Sequence, residues 1–154
     1  MNFIKHLKLK VPPPILTVVF IFSNYFSTYF LYSFQFKYQE LISLLIFILG
    51  LIFIILASRL YYKFNTSINP LKPYNCSFLI TNGVYSISRN PIYLGYLLFL
   101  SSSSIYFSTL FCFIIIYPYI LYINYFQIES EEEALQDLFG HHYDIYKSKV
   151  SKWI

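Results

Sequence analysis

Two polar clusters border the apolar runs of this chain, and their side chains are suited to binding a charged ligand. The first, SRNPIYLG at residues 88–95, contains Arg89, and the second, ESEEE at residues 129–133, contains Glu131 and Glu132. A guanidinium group binds anions, whereas carboxylates accept hydrogen bonds from ammonium and hydroxyl groups. If the fold brings the clusters together, they form a site for a ligand that carries both signs of charge.

The elements that must position these clusters are apolar helices. The chain has 154 residues, of which 57% are hydrophobic, 23% aromatic and only 12% charged, and a soluble protein of this size could not bury so much apolar surface. Uncharged runs cover residues 11–36, 41–58 and 91–128. One crossing of a bilayer needs about 20 apolar residues, so the first two runs predict one helix each and the third predicts two. We therefore expect an all-α integral membrane protein with four transmembrane helices and a C-terminal amphipathic helix in the cytoplasm.

The patterns also predict where these helices begin and end. The first is expected to run to about Phe36 and the second from about Leu41 to Tyr62. The last two form a hairpin that turns at Ser101–Ser104, with one long tilted helix as the alternative. Pro118 removes a backbone donor and is expected to kink the fourth helix. Gly140 ends or bends the amphipathic helix that follows.

The distribution of charge predicts the orientation. With four crossings, every basic residue except Lys37 falls on one side, which is the cytoplasmic side by the positive-inside rule. Both termini are then cytoplasmic. A signal peptide is the alternative for the N-terminus, but its apolar run is longer than a signal core and no small-residue cleavage site follows it. The basic residues on the shared side are Lys5, Lys8, Lys10, Arg59, Lys63, Lys72, Arg89, Lys147, Lys149 and Lys152.

The loop at residues 63–88 contains the turn signals NP, KP and NG, so it does not form one helix. Its apolar residues argue against disorder, and we expect it to fold back against the helices at the cytoplasmic surface. These apolar residues are Ile68, Leu71, Tyr74, Phe78, Leu79, Ile80 and Tyr85.

A hairpin of the last two helices would place Arg89 next to the glutamate cluster. Pro91 and Gly95 shape the start of the third helix, where free amide groups favour anions, and Tyr93 adds an aromatic wall. The alternative is an arginine that reaches the membrane surface beside a solvated acidic helix. S-adenosylmethionine, with its carboxylate, positive centre, ribose hydroxyls and flat base, matches the first arrangement.

The motif SRNPIYLG at residues 88–95, followed by Glu131 and Glu132, resembles the R-(H/N)-P-x-Y-x-G and EE signature of isoprenylcysteine carboxyl methyltransferases and the related phospholipid methyltransferase superfamily. The similarity is to small bacterial members and extends over about Thr66–Ile154. It implies one methyltransferase domain over residues 1–154, with two N-terminal helices at 1–62 and the loop, hairpin and C-terminal helix at 63–154. It also implies a multi-pass protein of the bacterial inner membrane.

The resemblance implies S-adenosylmethionine as cofactor and a lipid or lipid-like acceptor that is methylated at a carboxyl oxygen or an amine. The catalytic residues would be Arg89 and Glu132. Asn90 replaces the histidine of the eukaryotic form and cannot carry a proton as histidine does, which puts the eukaryotic substrate in doubt. The cofactor-binding residues would be Asn90, Pro91, Tyr93, Gly95, Glu131 and Glu132.

Two other functions stay open at this point. A non-enzymatic membrane protein could keep the fold, and a sterol-reductase-like enzyme that uses NADPH is a more distant alternative. No metal is expected, because His141 and His142 are adjacent and point in different directions on a helix. The net charge of +4 fits anionic lipid headgroups and requires no nucleic acid.

Overall fold

The computed structural model describes residues 11–66 and 73–154, and within these ranges the chain is helical. The expected all-α class is confirmed, because the only extended pairing among these residues is a single bridge between Ser33 and Thr109. The helices are α1 (Pro13–Ser27), α2 (Gln39–Lys63), α3 (Pro91–Phe107), α4 (Leu110–Ile114), α5 (Ile116–Ile123), a π-helical turn (Asn124–Ile128), α6 (Glu129–Phe139) and α7 (His141–Lys149), with 3₁₀ turns at Pro73–Asn75 and Gly83–Ser86.

Two helical stretches are long and apolar enough to cross a membrane. These are α2 and the nearly continuous stretch Leu110–Phe139, which contains α4 to α6. Helices α1 and α3 are apolar but have only 15 and 17 residues, fewer than the roughly 20 that a perpendicular crossing needs. The number of crossings and the side on which the termini lie therefore stay predictions.

Successive helical passes run in opposite directions. The side-chain amide of Gln39 at the start of α2 donates to the carbonyl of Tyr106 near the end of α3 (2.6 Å), and the Ser43 and Ser102 hydroxyls lie 3.0 Å apart one turn further on. In α1, Thr17 bonds to Tyr119 (2.8 Å). Asn24 in turn donates to Ser103 (2.8 Å). Small polar side chains of this kind join helices where the surroundings are apolar.

The outer surface of α2 is apolar. Only 17% of its most hydrophobic window is buried inside the protein, and leucine, isoleucine and phenylalanine side chains project from it along its length. Its buried positions are the small residues Ser43, Gly50 and Ala57, which face α3 and the loop. A helix that hides its small residues and exposes its large apolar ones is suited to lipid surroundings.

Two predicted boundaries are wrong. Helix α1 ends at Ser27 and not at about Phe36, because the chain turns there and crosses to the end of α3. In that crossing Phe34 N–H donates to the carbonyl of Ser108 (2.9 Å), and Ser33 pairs with Thr109.

The predicted hairpin turn at Ser101–Ser104 is also wrong, since the turn lies at Ser108 and Thr109. Ser103 and Ser104 donate to the carbonyl of Leu100 within α3, so their hydroxyls are satisfied without leaving the helix. Ser108 has a left-handed conformation with φ of 48°, and the Thr109 hydroxyl caps α4 by accepting from the amide of Cys112.

The helical stretch Leu110–Phe139 is interrupted where its sequence disfavours a regular α-helix. Pro118 cannot donate to the carbonyl of Ile114, and the helix breaks there between α4 and α5. The π-helical turn then leads directly into α6. Gly140, with φ of 48°, ends α6 as expected and starts α7.

The described part of the loop packs against the helices, as predicted. Ile80, Val84 and Tyr85 are buried and form a cluster with Ala57 of α2, while Leu60 approaches Gly83 from the same helix. Apolar burial therefore fixes the segment that leads to Arg89. The predictions for Lys5, Lys8, Lys10, Ile68, Leu71 and Lys72 lie outside the described residues.

Candidate functional site

Arg89 and Glu132 meet where α3 begins and α6 begins. Nη2 of Arg89 donates to Oε1 of Glu132 at 2.7 Å, and the two side chains are only 8% and 14% exposed. The other carboxylate oxygen of Glu132 lies 3.8 Å from Nζ of Lys152 and 4.0 Å from Nζ of Lys147. The predicted meeting of the two clusters is thus present in the structure, and three cations surround one of the glutamates.

The second terminal nitrogen of Arg89 holds the C-terminal end of α7. Nη1 donates to the carbonyls of Lys147 (3.1 Å) and Val150 (3.0 Å), and the backbone amide of Arg89 donates to the carbonyl of Ser151 (3.0 Å). The last carbonyls of a helix have no partner inside the helix, and a cation there is also favoured by the helix dipole. Arg89 therefore joins α3, α6 and α7 through one side chain.

Asn90 continues this connection to the C-terminal segment. Its side-chain amide donates to the carbonyl of Lys152 (3.0 Å), and its backbone amide donates to the hydroxyl of Ser88 (3.1 Å). The Ser88 hydroxyl also donates to Lys152 (3.3 Å). In this chain Asn90 thus supports the wall of the site through a neutral hydrogen bond.

Glu131 differs from Glu132 in its partners. Its Oε1 accepts a hydrogen bond from the hydroxyl of Tyr93, and in the described part of the chain it forms no ion pair. Tyr93 is buried on α3, so the pair connects α3 and α6. Glu131 therefore keeps side-chain oxygens that can accept hydrogen bonds from a ligand.

Glu131, Glu132, Arg89 and Asn90 line one cavity of about 50 Å³. Such a volume holds a water or two, while sites for small molecules span some hundreds of Å³. A groove of about 690 Å³ lies beside it, and the two share Phe78, Leu79 and Tyr146 as a common wall. The other residues that line the cavity are Tyr61, Cys76, Ile80, Tyr85, Leu135 and Tyr143.

Two donors in the cavity wall have no hydrogen-bond partner among the described residues. They are Nε of Arg89 and the hydroxyl of Tyr143, which is only 1% exposed. Burial and the neighbouring Glu132 carboxylate raise the pKa of the Tyr143 phenol, so it keeps its proton and remains a donor. By contrast, the hydroxyl of Tyr146 in the same wall donates to the carbonyl of Tyr85 (2.7 Å).

Pro91 and Gly95 do not line the cavity. Pro91 is buried in the first turn of α3, a position that tolerates its missing N–H. A Cβ on Gly95 would lie 2.5 Å from Cγ1 of Ile54 and 2.8 Å from the carbonyl oxygen of Gly50. Gly95 therefore allows α2 and α3 to approach closely, and its predicted part in cofactor binding stays a prediction.

The sequence did not single out Tyr143 or the C-terminal carbonyls that Arg89 binds. The sequence predicts only an amphipathic helix in this region and does not show that α7 folds back over the start of α3. A signal was present in the spacing of Tyr143, Tyr146 and Val150, which recur at three- and four-residue intervals. They form a buried cluster with Leu79, Leu135 and Phe139.

Comparisons with known proteins place the chain in a family. An uncharacterized protein of Haemophilus influenzae is 36% identical over 63 residues, which cover 41% of this chain and 100% of that protein. No solved structure matches the chain. The model of the phospholipid methyltransferase family matches residues 38–142, which include α2, α3, Arg89 and both glutamates and extend further towards the N-terminus than the motifs suggested. With two stretches able to cross a membrane and a family match over more than half of its length, the chain is a membrane protein that belongs to the phospholipid methyltransferase family.

Proposed function

We propose that this protein is a membrane-embedded methyltransferase that uses S-adenosylmethionine and methylates a lipid or lipid-like acceptor. The observation that carries the proposal is the shared cavity of Arg89, Glu131 and Glu132 at one end of apolar helices, in a chain of the phospholipid methyltransferase family. The exposed apolar surface of α2 supports an acceptor that arrives from the bilayer.

The chemistry of the wall fits the proposed cofactor. Glu131 has acceptor capacity for an ammonium or ribose hydroxyl group, and Tyr61 and Tyr85 offer aromatic rings. Nε–H of Arg89 has no partner in the described part of the chain and can donate to an anion. When bound, S-adenosylmethionine would supply a methyl group activated by its sulfonium. The residues of this chain would bind it, orient it and exclude water, which is most of what such a transfer requires.

The size of the cavity implies that its wall moves on binding. The shared wall of Phe78, Leu79 and Tyr146 separates the cavity from the larger groove, so displacing Phe78 and Leu79 would join the two spaces. These two residues lie in a segment without regular helix, which makes them easier to displace than the helices around them.

Glu132 and Glu131 would have different roles. Glu132 is neutralised by Arg89 and neighbouring lysines, so we assign it to positioning Arg89 and α7. Glu131 is the carboxylate available to a ligand. If the acceptor is an amine, Glu131 can also take its proton, whereas a carboxyl acceptor needs no base.

The proposal is tested by measuring cofactor binding first and methyl transfer second. Purified protein in detergent and in lipid vesicles is titrated calorimetrically with S-adenosylmethionine, and then incubated with the methyl-labelled cofactor and a membrane lipid extract. We expect saturable binding and label in an extracted lipid. The absence of cofactor binding in both detergent and vesicles would contradict the proposal, and binding of NADPH in its place would favour the reductase alternative.

The dependence on Glu131 distinguishes the two kinds of acceptor. With an amine acceptor, Glu131→Gln should lower kcat by about 10²-fold or more at saturating cofactor, because the proton acceptor is lost. With a carboxyl acceptor the same change should affect cofactor affinity and leave kcat at saturation nearly unchanged. Rate measurements at several cofactor concentrations separate these outcomes.

A further inference from the structure

The hydroxyl of Tyr143 is one of six buried side-chain polar atoms without a hydrogen-bond partner among the described residues, and only it and Nε of Arg89 belong to residues that line the cavity. Buried polar groups nearly always have a hydrogen-bond partner, and leaving one unpaired costs stability. Tyr143 is 1% exposed and its hydroxyl makes no hydrogen bond of acceptable geometry among the described residues, although the Glu132 carboxylate lies near it and the similar Tyr146 in the same helix bonds to the carbonyl of Tyr85. An unpaired buried donor in the wall of a cavity is available to a ligand that enters the cavity.

The surroundings of Tyr143 indicate which kind of group it would bind. The hydroxyl is a donor held beside Arg89 and Glu132, and Nε–H of Arg89 is a second unpaired donor in the same wall. Two unpaired donors, one of them cationic, favour an anionic acceptor. The nearby Glu131 favours a cation, so the wall is complementary to an amino-acid group that carries a carboxylate beside an ammonium.

We propose that Tyr143 is a ligand-binding residue whose hydroxyl, together with Nε of Arg89, donates a hydrogen bond to the carboxylate of the methyl donor. This inference rests on the proposed function and adds to it the residue that recognises the amino-acid end of the cofactor. Tyr143 lies just outside the part of the chain that the family model matches, so the family match does not assign it.

Tyr143→Phe removes the hydroxyl and keeps the ring in its cluster. We expect S-adenosylmethionine to bind about tenfold more weakly, as for the loss of one hydrogen bond to a charged group. The midpoint of thermal unfolding without ligand should stay the same or rise, because an unsatisfied buried hydroxyl is removed. Loss of affinity without loss of stability would distinguish a ligand contact from a structural role.

Tyr122→Phe is the matched control. The Tyr122 hydroxyl is also buried without a partner among the described residues, but Tyr122 lies on α5 and does not line the cavity. Its loss should leave the affinity for S-adenosylmethionine unchanged. An equal loss of affinity in both variants would overturn the proposal, since the effect would then not depend on the cavity.

Decarboxylated S-adenosylmethionine tests the chemical group that Tyr143 contacts, because it keeps the adenosine, the sulfonium and the amino group. The wild-type protein should bind it at least tenfold more weakly than S-adenosylmethionine, and Tyr143→Phe should bind it as well as the wild type does. Equal losses for both ligands would overturn the assignment to the carboxylate. If the variant fails to fold, equal binding of the two ligands by the wild type would still overturn the assignment to the carboxylate.

These outcomes separate the inference from the proposed function. If the wild-type protein binds no S-adenosylmethionine, the proposed function fails and this inference fails with it. If the wild type binds the cofactor and Tyr143→Phe binds it equally well, only the role of Tyr143 is overturned.

Discussion

Glu131 and Glu132 are neighbours in the sequence, but the structure surrounds them differently. Glu132 bonds to Arg89 and lies near two lysines, whereas Glu131 accepts from the neutral hydroxyl of Tyr93. A carboxylate that compensates a buried guanidinium cannot be removed without leaving that charge uncompensated. The pair therefore divides into a residue that stabilises the site and a residue that is available to a ligand.

This division predicts different results for the two amide substitutions. Glu132→Gln should lower the free energy of unfolding by roughly 3 kcal/mol, because Arg89 is left buried without its counterion. Glu131→Gln should change stability by less than about 1 kcal/mol, since its amide oxygen still accepts from Tyr93, but it should weaken cofactor binding about tenfold or more. Thermal unfolding and calorimetric titration measure the two effects.

Glu40→Gln is a suitable control for the loss of one negative charge, because Glu40 is exposed at the start of α2 and does not line the cavity. It should reproduce neither effect. The assignment of roles would be contradicted if Glu131→Gln destabilised the protein as much as Glu132→Gln while cofactor binding stayed intact.

Arg89→Lys should loosen the C-terminal segment. A lysine can replace the contact with Glu132, but it lacks the fixed fork that also reaches the carbonyls of Lys147 and Val150. We expect hydrogen–deuterium exchange in a peptide covering residues 141–154 to become about tenfold faster or more, in line with the loss of at least one such bond. The control is Arg59→Lys, at an exposed position on α2, which should leave the exchange of this peptide unchanged. Unchanged exchange in Arg89→Lys would contradict the structural role of Arg89.

At the scale of helices, composition predicted most of the elements and local geometry decided the rest. Helix α2 was expected at residues 41–62 and spans Gln39–Lys63, and Pro91 starts α3 as anticipated. The serines at 101–104 were misread as a turn because their hydroxyls bond inside and between helices, a pattern that depends on which helix lies alongside. The end of α1 depends on pairing with Ser108 and Thr109, which are distant in sequence.

The sequence predicted which two clusters meet at the site, but not how the C-terminal helix packs around them. The meeting of Arg89 with a glutamate follows from a helical hairpin, which apolar length alone predicts. The contacts of Arg89 with α7, and the place of Tyr143 in the cavity, depend on how the C-terminal helix packs over the loop. No local pattern around Arg89 encodes that packing.

The close contact between α2 and α3 predicts that one added methyl group at position 95 destabilises the protein. Gly95→Ala would place Cβ 2.5 Å from Ile54 and 2.8 Å from the Gly50 carbonyl, so the helices must separate. We expect a loss of about 1–3 kcal/mol in the free energy of unfolding, measured by thermal unfolding in detergent. Because Gly50→Ala disturbs the same contact, the double substitution should cost less than the sum of the two. An unchanged unfolding midpoint for Gly95→Ala would contradict the close packing.

For the whole molecule, the opposite directions of successive helices place Lys37 at one end and Lys63, Arg89 and the lysines of α7 at the other. If the bundle spans the membrane in the predicted orientation, a cysteine at position 37 should react with a membrane-impermeant maleimide in intact cells. A cysteine at position 148 should react only after permeabilisation. Both experiments use a background in which Cys76 and Cys112 are replaced by serine, and labelling of both positions from the same side would contradict the orientation.

The whole-molecule account depends on where the methyl donor binds. The most direct measurement is ultraviolet cross-linking of methyl-labelled S-adenosylmethionine to the wild-type protein in lipid vesicles, followed by mass spectrometric mapping of the labelled peptide. We predict label in peptides that contain the cavity wall, within residues 76–90 or 131–146, and its loss when unlabelled cofactor competes. Competable label confined to the opposite end of the bundle, around residues 28–38 or 104–110, would contradict the account.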